Sequence, residues 1–218
     1  MDNGATETRQ SEREAMVAEQ IVSRGIHETR LLEALRAVPR HRFVPRQYQY
    51  AAYDDGPLPI GEGQTISQPY IVAYMTSLLD VHPSERVLEV GTGSGYQAAI
   101  LSRLAADVYT IERVASFDAE VRQVLHELGY DNVHCRIGDG TQGWPEVAPF
   151  QAIIVTAAGP RVPPPLLEQL AGGGRLVMPV GQERGRQGIV RWTRTPSGAL
   201  TEEHFLAVAF VPLRGAHV

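Results

Sequence analysis

The chain has 218 residues, 43% of them hydrophobic and 21% charged, with a net charge of −5. That suits one water-soluble α/β domain with a sizeable core, and the absence of a basic run argues against electrostatic binding to nucleic acid. All 20 basic side chains are arginine, which excludes lysine-nucleophile and Schiff-base chemistry, and a single cysteine, Cys135, excludes an internal disulfide and fits a reducing cytoplasm.

Residues 1–10 are polar and read as a frayed end. Ser11-Glu12-Arg13-Glu14 has the spacing of a capping box, and Met16, Val17, Ile21 and Val22 follow at helical intervals up to Gly25, a C-cap glycine. A second helix is expected from Glu28 to Val38, stopped by Pro39. Arg40 to Pro45 holds three cations and reads as a solvated corner rather than a nucleic-acid patch. Residues 53–70 read as a long Gly/Pro-rich loop, too apolar for a free linker, and 54–67 within it is a candidate lid. A helix from Ile71 to Asp80 follows.

Arg86 to Gly95, R-V-L-E-V-G-T-G-S-G, reads as a buried strand breaking into a glycine turn, with Tyr96 opening a helix. Glycine lets the backbone turn sharply and lets a ligand approach without a Cβ in the way. The dinucleotide fingerprint wants its third glycine where Tyr96 stands, which argues against a nicotinamide oxidoreductase. Glu89 just before the turn would repel a pyrophosphate but tolerate a cationic sulfonium, as in the S-adenosylmethionine methyltransferases. Beyond it, strands are expected at Val108–Glu112, Val133–Ile137, Phe150–Thr156 and 174–180, with helices at Phe117–Leu128 and Pro164–Ala171. A terminal hairpin is expected from Ile189–Thr195 and Thr201–Leu213.

This alternation predicts a doubly wound, mostly parallel sheet with a C-terminal antiparallel hairpin and a helical N-terminal extension, residues 1–57, inside one domain, 1–218. Ligands bind such sheets at the carboxyl ends of the strands. There the polar residues collect: Glu89 with Gly91, Gly93 and Gly95, then Glu112, Asp139 with Gly140, and Thr156. Glu112 lies where a carboxylate accepts a ribose diol, and Asp139 suits the amino group of an adenine. Together these ends point to an adenosyl ligand.

Several segments are more specific: Ala37 to Pro45, the loop L-P-I-G-E-G-Q-T-I-S-Q-P ending at Pro69, L-E-V-G-T-G-S-G-Y-Q, Gly138-Asp139-Gly140, Ile153 to Ala158, Gly173 to Gly181 and Phe210 to Leu213. By these the chain resembles the protein-L-isoaspartate O-methyltransferases over nearly its whole length. The resemblance implies a Rossmann-like class I methyltransferase fold. It also implies transfer of a methyl group from S-adenosyl-L-methionine to the carboxylate of L-isoaspartyl, and weakly D-aspartyl, residues in damaged proteins, with no metal. The family's active-site serine falls on Ser67, and Gln64, Thr65 and Ile66 are expected to wrap the cofactor. Arg214 stands where some relatives have a small or polar residue. Ser67 also lies where an N-cap would open the helix near Pro69. A relative dedicated to one peptide would carry much the same sequence, whereas the intact Gln64-to-Gln68 loop and glycine motif argue against a non-catalytic binding module. A cytoplasmic monomer acting on polypeptides, away from membranes, is the expectation.

Overall fold

The computed structural model describes residues 9–182 and 185–218. Five parallel strands form most of its main sheet: β3 (Arg86–Val90), β4 (Asp107–Glu112), β5 (Val133–Ile137), β6 (Phe150–Val155) and β7 (Leu170–Gly181). Two antiparallel strands, β8 (Gln187–Arg194) and β9 (Leu200–Val208), complete the order β5-β4-β3-β6-β7-β8-β9. The chain runs outward from β3 to β5, then crosses back to β6 on the other side of β3. That reversal opens a crevice at the carboxyl ends of β3 and β6.

Val87 and Leu88 are fully buried on opposite faces of β3, and each contributes roughly 1.5–3 kcal/mol by leaving water. The Val87 face packs under the N-terminal helices, α3 (Pro69–Leu79), α4 (Tyr96–Ser102) and α5 (Asp118–Glu127); the Leu88 face packs on α6 (Pro164–Glu168). The expected alternation is therefore present, with α6 ending at Glu168 and β7 beginning early, at Leu170.

The N-terminal extension departs from its expected form. Of the end read as frayed, residues 1–8 lie outside the described residues, and helix α1 (Gln10–Met16) begins on Gln10. Ser11 lies inside that helix, so the capping box is not used; Arg9, with φ 39°, precedes it and its guanidinium donates to Glu12 and, at 2.6 Å, to the Gln49 carbonyl. The helix relaxes into a π turn (Val17–Ile21) and a 3₁₀ turn before Gly25 ends it at φ 90°, as expected. Helix α2 (Thr29–Ala37) buries Leu31, Leu32 and Leu35. Arg40 and His41, read as a solvated corner, are buried, 0% and 7% exposed.

The segment read as a long loop contains a small antiparallel hairpin, β1 (Leu58–Gly61) and β2 (Gln64–Ile66). Its turn, Gly61-Glu62-Gly63, holds three consecutive positive φ angles, 99°, 51° and 69°, a conformation glycine makes accessible. The hairpin delivers Gln64 to Ser67 to the crevice. Helix α3 is preceded by Gln68 with no side-chain cap, so Ser67 is not its N-cap. At the far end β9 stops at Val208 rather than running to Leu213. Pro212 cannot donate to a ladder, and the chain folds back instead: Ala158 donates to the Val211 carbonyl at 2.8 Å and accepts from the Leu213 N–H at 2.7 Å.

Candidate active site

The glycine turn forms the floor of the crevice. Gly91 and Thr92 N–H groups donate to the Ile111 carbonyl, at 2.9 and 3.4 Å, holding the turn against β4. Gly91 has φ 100°, and a Cβ there would strike the Thr156 hydroxyl. That hydroxyl donates to the Gly91 carbonyl at 2.7 Å, so Thr156 props the turn from β6. Glu112 props it from β4: one carboxylate oxygen accepts from Gly93 N–H at 2.8 Å, the other from Val114 N–H at 2.8 Å. Each oxygen keeps a further lone pair for a ligand hydroxyl. Gly140, buried at the end of β5, leaves no room for a Cβ against Val90.

Around this floor runs a cavity of about 110 Å³. Gln64 and Thr65 of the hairpin bound it on one side, the glycine turn and Glu112 beneath, and Val211 to Arg214 of the returning chain on the other. Ser67 stands where two further spaces meet. One, of about 40 Å³, reaches back over Gly91 to Ser94, with Tyr96 and Gln97 behind. The other is an open groove of about 460 Å³ between Gln68 with Tyr70 and Ile71 of α3 on one side and the stretch 206–211 on the other. Among the described residues none hydrogen-bonds to the Ser67 hydroxyl, while its backbone carbonyl accepts from Arg40 Nη2 at 2.8 Å. The site can therefore hold an elongated ligand along the strand ends and a second molecule in the groove, with Ser67 between them.

The sequence profile described as protein-L-isoaspartate(D-aspartate) O-methyltransferase (PCMT) matches residues 11–217. The chain belongs to that family. Similar proteins include the protein-L-isoaspartate O-methyltransferase of Pelotomaculum thermopropionicum, 54% identical over 96% of this chain and 91% of its own. That of Trichlorobacter lovleyi is 55% identical over 93% of each. Among solved structures, one protein-L-isoaspartate O-methyltransferase superposes with a TM-score of 0.84 at 28% identity, covering 93% of this chain and 66% of that longer one. A Plasmodium falciparum β-aspartate methyltransferase (PCMT), solved in complex with S-adenosyl-L-homocysteine, shares the fold with a TM-score of 0.81 at 24% identity, covering 93% of this chain and 98% of its own.

Three of the residues expected at the cofactor of this PCMT chain line none of these spaces: Gly95, where a Cβ would strike Val121 and approach Phe43, and the two acids Glu89 and Asp139. Glu89 is wholly buried, 0% exposed, and lines none of the three spaces. Alternation along β3 puts it on the Val87 face, beneath the turn. There the Thr110 hydroxyl lies 2.6 Å from one carboxyl oxygen and 2.6 Å from the Thr92 hydroxyl, while the other oxygen is buried without a partner. Burial pushes its pKa up to about 8, with the Thr110 hydrogen bond opposing and the Glu112 charge assisting. Glu89 thus supports the turn as a neutral acid instead of meeting a sulfonium. A proton held more tightly in the folded state than in the unfolded one stabilises fully below pH 4.5 and is lost as pH rises toward 8. Glu89→Gln should therefore be more stable than the wild type at pH 8, by an amount on the order of a few kcal/mol at most, and the difference should shrink toward pH 5. Equal differences at both pH values in thermal melts would contradict a protonated Glu89.

Asp139 does sit between two glycines at the end of β5, but its carboxylate faces the chain terminus, not the cavity. It accepts from Thr141 N–H at 3.0 Å, Thr141 Oγ1 at 2.7 Å and Ala216 N–H at 2.8 Å. Burial works against its ionisation, yet these hydrogen bonds and the Arg113 charge hold it below the usual carboxylate range. Asp139 is the clip that keeps Val211 to Arg214 in place as the cavity wall. Sequence reasoning carried the last strand through Leu213 and so missed that wall; the segment Phe210 to Leu213 stands out, but β9 has already ended at Val208 and nothing local marks the return along Ala158. Arg214 is exposed and lies on the wall. Cys135 is half-buried in β5, and burial raises its pKa to about 11, so it is no thiolate nucleophile.

Proposed function

We propose that this chain is a repair enzyme that transfers a methyl group from S-adenosyl-L-methionine to the free carboxylate of L-isoaspartyl, and weakly D-aspartyl, residues in damaged proteins and peptides. The observation that carries this is the position of Ser67. It lies on the Gln64–Gln68 segment, between a cavity floored by the glycine turn and an open groove wide enough for a polypeptide.

The cavity suits the cofactor. Glu112 offers acceptors to a ribose diol, and a carboxylate propping the turn disfavours a pyrophosphate there. Gly91, Gly93 and Gly140 give close backbone approach, and Gln64, Thr65 and Ile66 bring the hairpin over it; Gly95 lets the first turn of α4 pack on Val121 and Phe43. Glu89 and Asp139 act from behind, supporting the turn and the wall, while Thr156 both props the turn and lines the cavity. When bound, the cofactor supplies a methyl group on a positively charged sulfur.

The acceptor carboxylate has an ordinary pKa near 4 and is ionised at neutral pH. The chain therefore has no proton to remove, and no general base is required. Its task is alignment and exclusion of water. Ser67 donates one hydrogen bond that fixes the carboxylate's rotation, while Ile71, Thr156 and Phe210 wall off solvent. The methyl ester formed carries a methoxy group, a better leaving group than the oxygen of a carboxylate; attack by the next backbone nitrogen on the ester carbonyl expels methanol and closes a succinimide whose hydrolysis returns some normal aspartate. The chain acts as a single domain and a cytoplasmic monomer on this reading, on polypeptides rather than nucleic acid. No helix among the described residues is long and apolar enough to cross a membrane, and those residues contain no group of three or more His, Cys, Asp or Glu able to hold a metal.

The test uses two synthetic peptides differing only in L-isoaspartate against L-aspartate, with methyl-labelled cofactor. Base-labile label on the isoaspartyl peptide alone is expected; label on neither would move the function to another acceptor. In the same assay Ser67→Ala should lower kcat about 10- to 100-fold, the worth of one hydrogen bond to a charged group, and leave cofactor affinity within about twofold. An unchanged kcat would remove Ser67 from the mechanism.

A further inference from the structure

Arg40 is a charged side chain with no solvent exposure. Its guanidinium makes three contacts from one plane. Nε donates to the Ala52 carbonyl at 2.8 Å, Nη2 donates to the Ser67 carbonyl at 2.8 Å, and Cζ stands 4.8 Å from the centre of the Tyr96 ring. Tyr96 is the first residue of α4, directly after Gly95, and it lines the same small space as Ser67. Phe43 packs edge-on against the other part of that ring, centroids 5.7 Å apart. One side chain of the N-terminal extension thus joins the serine segment to the helix that leaves the glycine turn.

Burying a guanidinium is costly, and an apolar side chain of similar volume fills a core site at less expense. Among the described residues no carboxylate pairs with Arg40, and Nη1 is buried without a partner. Burial lowers its pKa to about 10, with the electrostatic pull of the Tyr96 and Tyr53 hydroxyls opposing, so it remains a cation at neutral pH. A planar donor that hydrogen-bonds two carbonyls while stacking on an aromatic face is something lysine cannot reproduce.

We infer that Arg40 is a positioning residue for methyl transfer: by holding the Ser67 carbonyl against Ala52 and Tyr96, it sets the direction of the Ser67 hydroxyl toward the acceptor carboxylate. The inference rests on the reading of Ser67 as the group that orients the acceptor. Arg40 acts through Ser67 and touches neither substrate nor cofactor.

A double-mutant cycle on the full chain tests it, with kcat measured on the isoaspartyl peptide and cofactor affinity by titration, well below each variant's melting temperature. Arg40→Lys should lower kcat about tenfold or more, since small misplacements of a reacting group reach a hundredfold, and leave cofactor affinity within about twofold. Ser67→Ala should fall similarly. The double variant should be no slower than the slower single, because without the hydroxyl there is nothing left for Arg40 to aim. Losses that multiply in the double variant would mark Arg40 as a structural residue only and overturn the proposal, as would an unchanged kcat in Arg40→Lys. Should Ser67→Ala alone match the wild type, the reading of Ser67 fails and this proposal with it; a failure confined to Arg40 leaves Ser67→Ala slow. If Arg40→Lys does not fold, Arg40→Gln, which keeps a planar donor for one of the two carbonyls, goes through the same cycle at a lower temperature. A double variant no slower than the slower single again supports the proposal, and multiplying losses again overturn it.

Discussion

Gly91→Ala should abolish measurable cofactor binding. The residue has φ 100°, where an L side chain is strained by roughly 1–2 kcal/mol. The added Cβ would also strike the Thr156 hydroxyl, which is held by its own hydrogen bonds to the Val90 and Gly91 carbonyls. Relief requires either the turn or the β6 end to move, and both are cavity floor. A combined cost above about 3 kcal/mol corresponds to a loss of more than a hundredfold in affinity. Titration with S-adenosyl-L-homocysteine, alongside circular dichroism to confirm folding, measures it. Gly56→Ala is the control: a Cβ there meets nothing within 4 Å and the backbone angle is not positive. A Gly91→Ala variant that binds within threefold of wild type would show that the turn is not the cofactor floor.

Glu112→Ala carries the second large effect, because one side chain does two jobs. Its oxygens fix the Gly93 and Val114 N–H groups, so truncation frees the turn and leaves two donors unsatisfied; it also removes the acceptors proposed for the ribose. Hydrogen bonds to charged groups are worth about 1.5–3 kcal/mol each, so affinity should fall at least a hundredfold. Glu112→Gln separates the two jobs. Its amide oxygen can still take one backbone N–H, but the NH₂ end faces a donor, so binding should be intermediate and the melting temperature closer to wild type. Wild-type affinity in Glu112→Ala would remove both roles.

Where a single local pattern decides the structure, the sequence can be read directly. The run Val87-Leu88, then glycines at 91, 93 and 95, then Tyr96, is strand, turn and helix in the structure as in the pattern. Gly25 ends its helix at the expected place. Glu89 is legible in principle: it shares the Val87 face by simple alternation, but an acid beside a glycine turn suggests a ligand more readily than burial. The β1–β2 hairpin is hidden because its strands are only four and three residues long and interrupted by Pro59. Arg40 is hidden because three cations within a few residues look like solvated surface; only long-range contacts to Ala52, Ser67 and Tyr96 turn one of them inward. The wall made by Val211 to Arg214 depends on pairing with Ala158, more than fifty residues away, which no window along the chain contains.

If the groove beside Ser67 receives the substrate, as proposed, its lining bears on which damaged chains are served. Its lining, from Pro57 through Tyr70 and Ile71 to Leu206–Val211, includes no charged side chain. A wall without charge does not distinguish acidic from basic neighbours of the damaged residue, and recognition there owes little to ionic strength. A space of about 460 Å³ takes in a few residues of a peeled-out segment and not the face of an intact domain. Selection is then made by looseness: a lesion in a frayed loop is presented for turnover, whereas the same lesion locked in a rigid neighbourhood waits until local unfolding releases it.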